Sequence, residues 1–147
     1  MDAAAMEAFA RERVEVLFNG GELGRIPEFV TEDYVNHEAW PGEDPGYEGF
    51  RLRLERLRSA VPDIHLEIHE IVAAGDLVAY RATLTGTHRG ELLGMAPTNK
   101  GFRVQHMHML RVREDRACEH WATRDDLGML QQLGIIPSPA PPLSPER

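Results

Sequence analysis

At Pro62-Asp63 the apolar periodicity of the chain changes from helical to alternating, and this switch limits the possible folds more than any other feature. Before it, Met6, Phe9, Ala10, Val14, Leu17 and Phe18 recur at helical spacing over 3–18, with Glu7, Arg11, Arg13 and Glu15 on the opposite, solvated face. Asn19-Gly20-Gly21 stops that helix, and a short second one carries Leu23, Ile26, Phe29 and Val30 and ends at Thr31. A third helix is predicted over 47–60 through Phe50, Leu54 and Leu57. After the switch, strands are predicted over 64–72, 77–88, 102–112 and 117–123. Ala73-Ala74-Gly75-Asp76 and Arg113-Glu114-Asp115-Arg116 join them into two antiparallel hairpins. Asp125 or Asp126 then caps a last short helix with apolar positions Leu127, Leu130 and Leu133, closed by Gly134. Helices first and strands second make an α+β layer: a curved antiparallel sheet packed on three N-terminal helices, cone-shaped and open at one end. A chain of 147 residues holds one core, so 1–136 is read as a single domain and 137–147 as a flexible Pro/Ser-rich tail.

Several function classes fall away. No apolar run approaches the roughly 20 residues that span a bilayer, and the N-terminus lacks the basic-then-apolar layout of a secretory signal. Cys118 is alone, which rules out an internal disulfide and suits a reducing, cytoplasmic setting. A net charge of −8 works against binding to a phosphate backbone. The one basic cluster, Arg51, Arg53, Arg56 and Arg58, reads as a solvated helix face interspersed with Glu48 and Glu55. Gly86, Gly90 and Gly94 do not open a helix after a parallel strand, so a nicotinamide cofactor is not expected.

The chemistry concentrates on the strand over 102–112, whose alternation places Val104, His106, His108 and Leu110 on one face and Gln105, Met107, Met109 and Arg111 on the other. Two imidazoles in a partly desolvated cavity suit proton transfer near neutral pH. His120 on the neighbouring strand adds a third ring, and His-x-His is also a metal-ligand spacing. Without a matching carboxylate or an HExxH-type helix, no metal is expected. Asp125 and Asp126 stand where one carboxylate can cap the helix while the other reaches the cavity mouth, and Asp125 is taken as the catalytic one. In the segment 32–46, Tyr34, His37 and Trp40 sit among Pro and Gly, which reads as a ligand-contacting lid over a small hydrophobic molecule.

Five separated blocks resemble the SnoaL-like polyketide cyclases: Tyr34-Val35-Asn36-His37, Pro62-Asp63, the stretch over 75–98 that includes Gly94-Met95-Ala96-Pro97-Thr98, Glu119-His120-Trp121, and Leu130-Gln131-Gln132-Leu133-Gly134. The resemblance covers most of the chain and implies the nuclear-transport-factor-2-like fold, an α+β barrel that usually dimerises through the outer face of its sheet. It further implies cofactor-independent aldol cyclisation, in which an aspartate takes a proton next to a carbonyl and a histidine on the neighbouring strand stabilises the enolate. His108 matches that histidine, and Met95, His106 and His120 are expected to contact substrate. The aspartate's place falls on Ala122, which cannot take a proton. Two readings follow: an enzyme in which Asp125, His37 or His120 replaces the base or which runs different chemistry, and a protein that binds a hydrophobic ligand without turning it over.

Overall fold

The structure, a computed structural model, describes residues 1–139. Four helices pack on a curved five-stranded sheet of order β1-β5-β4-β3-β2. Helix α1 (Ala3–Arg13) is capped by the Asp2 carboxylate, which accepts from Ala5 N–H at 2.8 Å. It runs on into a π-helical segment, Val14–Asn19, and a 3-10 turn, Leu23–Arg25, leads to α2 (Ile26–Phe29). Strand β1 (Val30–Asn36) precedes α3 (Tyr47–Ala60), and β2 (His65–Ala74), β3 (Leu77–Thr87), β4 (Gly101–Arg113), β5 (Arg116–Arg124) and α4 (Asp126–Gln132) complete the chain. The tail predicted over 137–147 lies largely outside the described residues.

The α+β class, the third helix and all four predicted strands are present, and the strands shift by no more than two residues at their ends. Two readings need correction. Val30 and Thr31 do not end a helix, and 32–36 is not a loop: this stretch is β1, paired parallel to β5 with Asn36 opposite His120, so the sheet is mixed rather than antiparallel. Val30, Thr31, Tyr34 and Val35 are good strand formers, and the β5 edge supplies the hydrogen bonds that a short apolar segment cannot make locally. Nor does Arg13 lie on the solvated face of α1. It is buried among Met6, Phe9 and Ala10, at the i+7 position from Met6 where the apolar stripe continues. Directly after it the helix widens to π geometry, a feature often found at functional sites.

The core lies between the helices and the inner face of the sheet, with Leu17, Ile26, Tyr34, Val78, Leu110 and Leu133 fully buried. Three contacts close the ends of the layer. Asp63 accepts from the Thr87 N–H and hydroxyl, both at 2.8 Å, and so pins the end of β3. Gln132 accepts from Arg103 N–H at 2.8 Å and donates to Arg103 O at 3.1 Å, tying α4 to β4 as an added strand would. Gly134, at φ 76°, ends α4 with Gly134 N–H to Gln131 O and Ile135 N–H to Leu130 O, the paired bonds of a Schellman motif. No helix among the described residues is long and apolar enough to cross a membrane.

The β4–β5 hairpin turns on Glu114 and Asp115, both with positive φ (51° and 62°), as a two-residue type I′ turn demands. Neither is glycine, so each holds a left-handed conformation that a side chain disfavours. Asp115→Gly is therefore expected to raise the unfolding free energy by about 0.5–1 kcal/mol, the relief outweighing the added freedom of the unfolded chain. Equilibrium urea denaturation measures it.

Candidate active site

Because β4 alternates, His106 and His108 both point to the helix-covered face, and the register sets His108 beside Ala122 while His120 lies opposite Leu110. The parallel pairing of β1 brings Asn36 alongside His120. Four side chains from three strands thereby join in one line. Asn36 Oδ1 lies 2.7 Å from His120 Nδ1, His120 Nε2 lies 2.8 Å from His108 Nδ1, and His108 Nε2 lies 3.1 Å from His106 Nδ1.

The proton positions along this line follow from one backbone group. Glu38 N–H donates to Asn36 Oδ1 at 3.0 Å, which fixes that atom as the amide oxygen, an acceptor. His120 Nδ1 must then donate to it, so His120 Nε2 accepts from His108 Nδ1–H, and His108 Nε2 accepts from His106 Nδ1–H. Each ring is neutral and carries its proton on Nδ1. His106 Nε2, at the end of the line and on the cavity wall, keeps a lone pair with no partner among the described residues.

Burial holds all three rings neutral. Desolvation, reinforced by Arg124, lowers His106 to about 4. His108 and His120 fall well below the ordinary histidine range, His108 through burial and its two imidazole neighbours, His120 through burial and the charge of Arg13. Burial likewise pushes the Tyr34 phenol up to about 12, with Arg13 pulling the other way.

The rings face an inner cavity of about 80 Å³, floored by Leu17, Leu54 and Leu84 and polar where Tyr34, Tyr80, Arg13, Arg53, Arg124 and Asp126 reach it. An outer cavity of about 530 Å³ adjoins it, and Trp40, Arg53 and Leu57 form the common wall. Trp40 is held in place: the Arg53 guanidinium lies over its ring at 4.0 Å, and its Nε1–H donates to Asp126 Oδ2 at 3.2 Å.

The structure brings together Tyr34, Trp40, His106, His108 and His120 at the inner cavity. It places three other candidates elsewhere. Asp125 caps α4, accepting from Gly128 N–H at 2.8 Å, while its neighbour Asp126 reaches the cavity, so the two aspartates divide the roles the opposite way round. His37 lines neither cavity; it stacks on Trp121 at 4.9 Å and donates to Glu119 at 2.8 Å. Met95 bridges to Leu92 within the loop after β3 and lines neither cavity. Arg53 leaves the solvated face assigned to its cluster, pairing with Glu43 at 2.9 Å beside Trp40.

Asn36, Arg13 and Arg124 went unmarked in the sequence reading. Asn36 shares the face of Tyr34 once 30–36 is read as a strand, and Arg13 continues the stripe of Met6 and Ala10, so both carried a periodic signal. Cys118 is buried, and burial pushes its thiol up, away from nucleophilic reactivity. No group of three metal-ligating side chains converges on a point among the described residues.

The depressed histidines give stability a definite pH dependence. An unfolded histidine takes its proton near pH 6.5, whereas His106 in the folded chain does so only near 4. Between these values the unfolded state binds more protons, so stability falls as the pH falls through that window. The melting temperature is expected to drop from pH 7 to pH 5, and His106→Gln to lose less over the same interval; identical slopes in scanning calorimetry would contradict the assignment.

Comparison with known proteins identifies the family of the chain. The family described as SnoaL-like polyketide cyclase matches residues 8–133. The aklanonic acid methyl ester cyclase DnrD of Streptomyces peucetius is 32% identical over 134 residues, covering 89% of this chain and 91% of that protein. The nogalonic acid methyl ester cyclase of Streptomyces nogalater is 29% identical over 119 residues, 80% of this chain and 89% of its own. Among solved structures, TsrD from Streptomyces laurentii superposes with a TM-score of 0.83 at 26% identity, over 92% of this chain and 99% of that one. A curved mixed sheet under four helices and a family match over residues 8–133 place this chain in the SnoaL-like polyketide cyclase family, with the nuclear-transport-factor-2-like fold.

Proposed function

We propose that this protein is a cofactor-independent cyclase that closes a ring in a small polyketide-like molecule, with His106 Nε2 as the group that takes the proton. The observation that carries this is the directed line of hydrogen bonds from Asn36 to His106. His108, the ring that matches the family's histidine, has both nitrogens engaged within that line and acts through His106 rather than on substrate. The expected carboxylate is absent: Ala122 stands directly across from His108.

The reaction is an intramolecular aldol addition. His106 Nε2 takes a proton from carbon next to a carbonyl, and the electron pair of that C–H bond moves onto the oxygen as an enolate. The enolate carbon attacks a second carbonyl of the same molecule, forming the C–C bond and an alkoxide. The alkoxide recovers the proton from His106, so the product is an isomer of the substrate. A neutral imidazole that acquires charge in a dry cavity needs that charge shared, and the line allows it. As His106 gains a proton at Nε2, its Nδ1–H bond to His108 and the bonds behind it to His120 and Asn36 strengthen and spread part of the charge along the line, while the proton stays on His106.

The relatives' substrates supply the test. Aklanonic acid and its methyl ester are incubated with the protein, and chromatography with mass detection follows an isomeric product of unchanged mass. His106→Gln is expected to lower kcat roughly 10²–10⁴-fold with the fold retained by circular dichroism, and His108→Ala to lower it as well by cutting the line. Full turnover in both variants would overturn the mechanism. Binding without any product would favour the second reading, a ligand carrier, which the lack of a carboxylate beside His108 supports.

The same resemblance, together with the sheet's outer face, supports a homodimer. Val72, Ala79, Met109 and Trp121 lie opposite one another in register and form an apolar row across four strands, flanked by exposed Met107. Sedimentation is expected to show a dimer that Met107→Asp weakens; a monomeric native chain would exclude this arrangement.

A further inference from the structure

Arg13 is 7% exposed, lines the inner cavity, and has no carboxylate partner among the described residues; its Nε is buried without any hydrogen-bond acceptor. The other two cavity arginines are matched. Arg53 pairs with Glu43, and Arg124 donates to Glu38 O at 2.7 Å and lies 3.6 Å from Asp126. Arg13 has only the face of Phe50, 5.1 Å away, and the phenols of Tyr34 and Tyr80. Removing a guanidinium from water without a counter-charge is costly, and a fold keeps one there when something else supplies the charge. Asp126, the one carboxylate on the inner cavity wall among the described residues, is taken up by Trp40 and Arg124.

From this we infer that Arg13 is the anion-recognition residue of the cavity, and that the physiological ligand is a planar aromatic compound carrying a free carboxylate rather than a neutral ester. The inference rests on the cavity's being the substrate site. The carboxylate end and the first ring would enter the inner cavity beside Leu54 and Phe50, and the rest of the ring system would extend past Trp40 and Leu57 into the outer cavity. The carboxylate would sit at the guanidinium with the Tyr34 and Tyr80 hydroxyls as further donors, a charge-assisted geometry stronger than neutral hydrogen bonds. A consequence reaches the imidazoles. Arg13 contributes to keeping His108 and His120 unprotonated, so an anion placed on it offsets that field and makes the line of rings a better proton acceptor when substrate is present.

Titration calorimetry at pH 7.5 with 2-naphthoate, methyl 2-naphthoate and 2-naphthamide tests this without requiring turnover. The carboxylate is expected to bind at least tenfold more tightly than the ester and the amide. Arg13→Gln should erase that difference by weakening the acid far more than the ester, and Arg13→Lys should restore part of it. Nitrogen-15 NMR of the arginine Nε–H groups gives a measurement on the native chain that does not depend on Arg13→Gln folding, since the Arg13 signal should move on adding naphthoate and stay in place with the ester. An ester bound as tightly as the acid, or an acid preference that survives Arg13→Gln, overturns the anion site while the cavity reading stands. Failure of all three compounds to bind overturns both.

Discussion

The parallel pairing of β1 with β5 is the constraint on which the rest of the site depends. Among the described residues it is the one parallel pairing in an otherwise antiparallel sheet, and it sets Asn36 beside His120. Without Asn36 the three imidazoles would have no fixed acceptor at one end, and each ring could carry its proton on either nitrogen. With it, a single backbone N–H, that of Glu38, determines the tautomer of a ring three side chains away. The direction of the hydrogen-bonded line is thus written into strand register, and burial keeps water from scrambling that direction.

Much of this was legible in the chain itself. The alternation over 102–112 reports the inward pair His106 and His108 because a buried sheet face and an exposed one differ at every second residue, and the third helix is flanked by the helix breakers Gly46 and Pro62. Strand β1 was hidden for a physical reason. Its pairing partner lies more than eighty residues away, and no local pattern records a contact of that range. Arg13 was hidden by its own chemistry: a charged side chain in an apolar stripe is ordinarily assigned to solvent, and only the continuity of Met6, Ala10 and Leu17 on the same face argues otherwise. Asp125 and Asp126 are adjacent carboxylates at a helix start, and the sequence cannot say which one the backbone N–H of Gly128 will claim.

The blocks that carry the family resemblance mostly hold the layer together rather than perform chemistry. Asp63 anchors the end of β3, Gln132 clamps α4 to β4, and Gly134 terminates α4. A member can therefore keep these anchors whatever residue stands across from His108, which here is Ala122. Other blocks do reach the cavity, through residues such as Asn36 and His120, but the anchors at Asp63, Gln132 and Gly134 lie outside it, so the cavity lining can change without disturbing them.

The fixed tautomers also give the cavity a polarity of recognition. His106 presents a lone pair, so an O–H or N–H of a ligand is attracted to that wall and a bare carbonyl is repelled from it. On the Arg13 side the wall presents donors, and the preference reverses. A molecule with an acceptor at one end and a donor at the other therefore fits in one orientation and is refused in the other, which makes a cavity built largely of leucine and aromatic rings selective for facing as well as for shape.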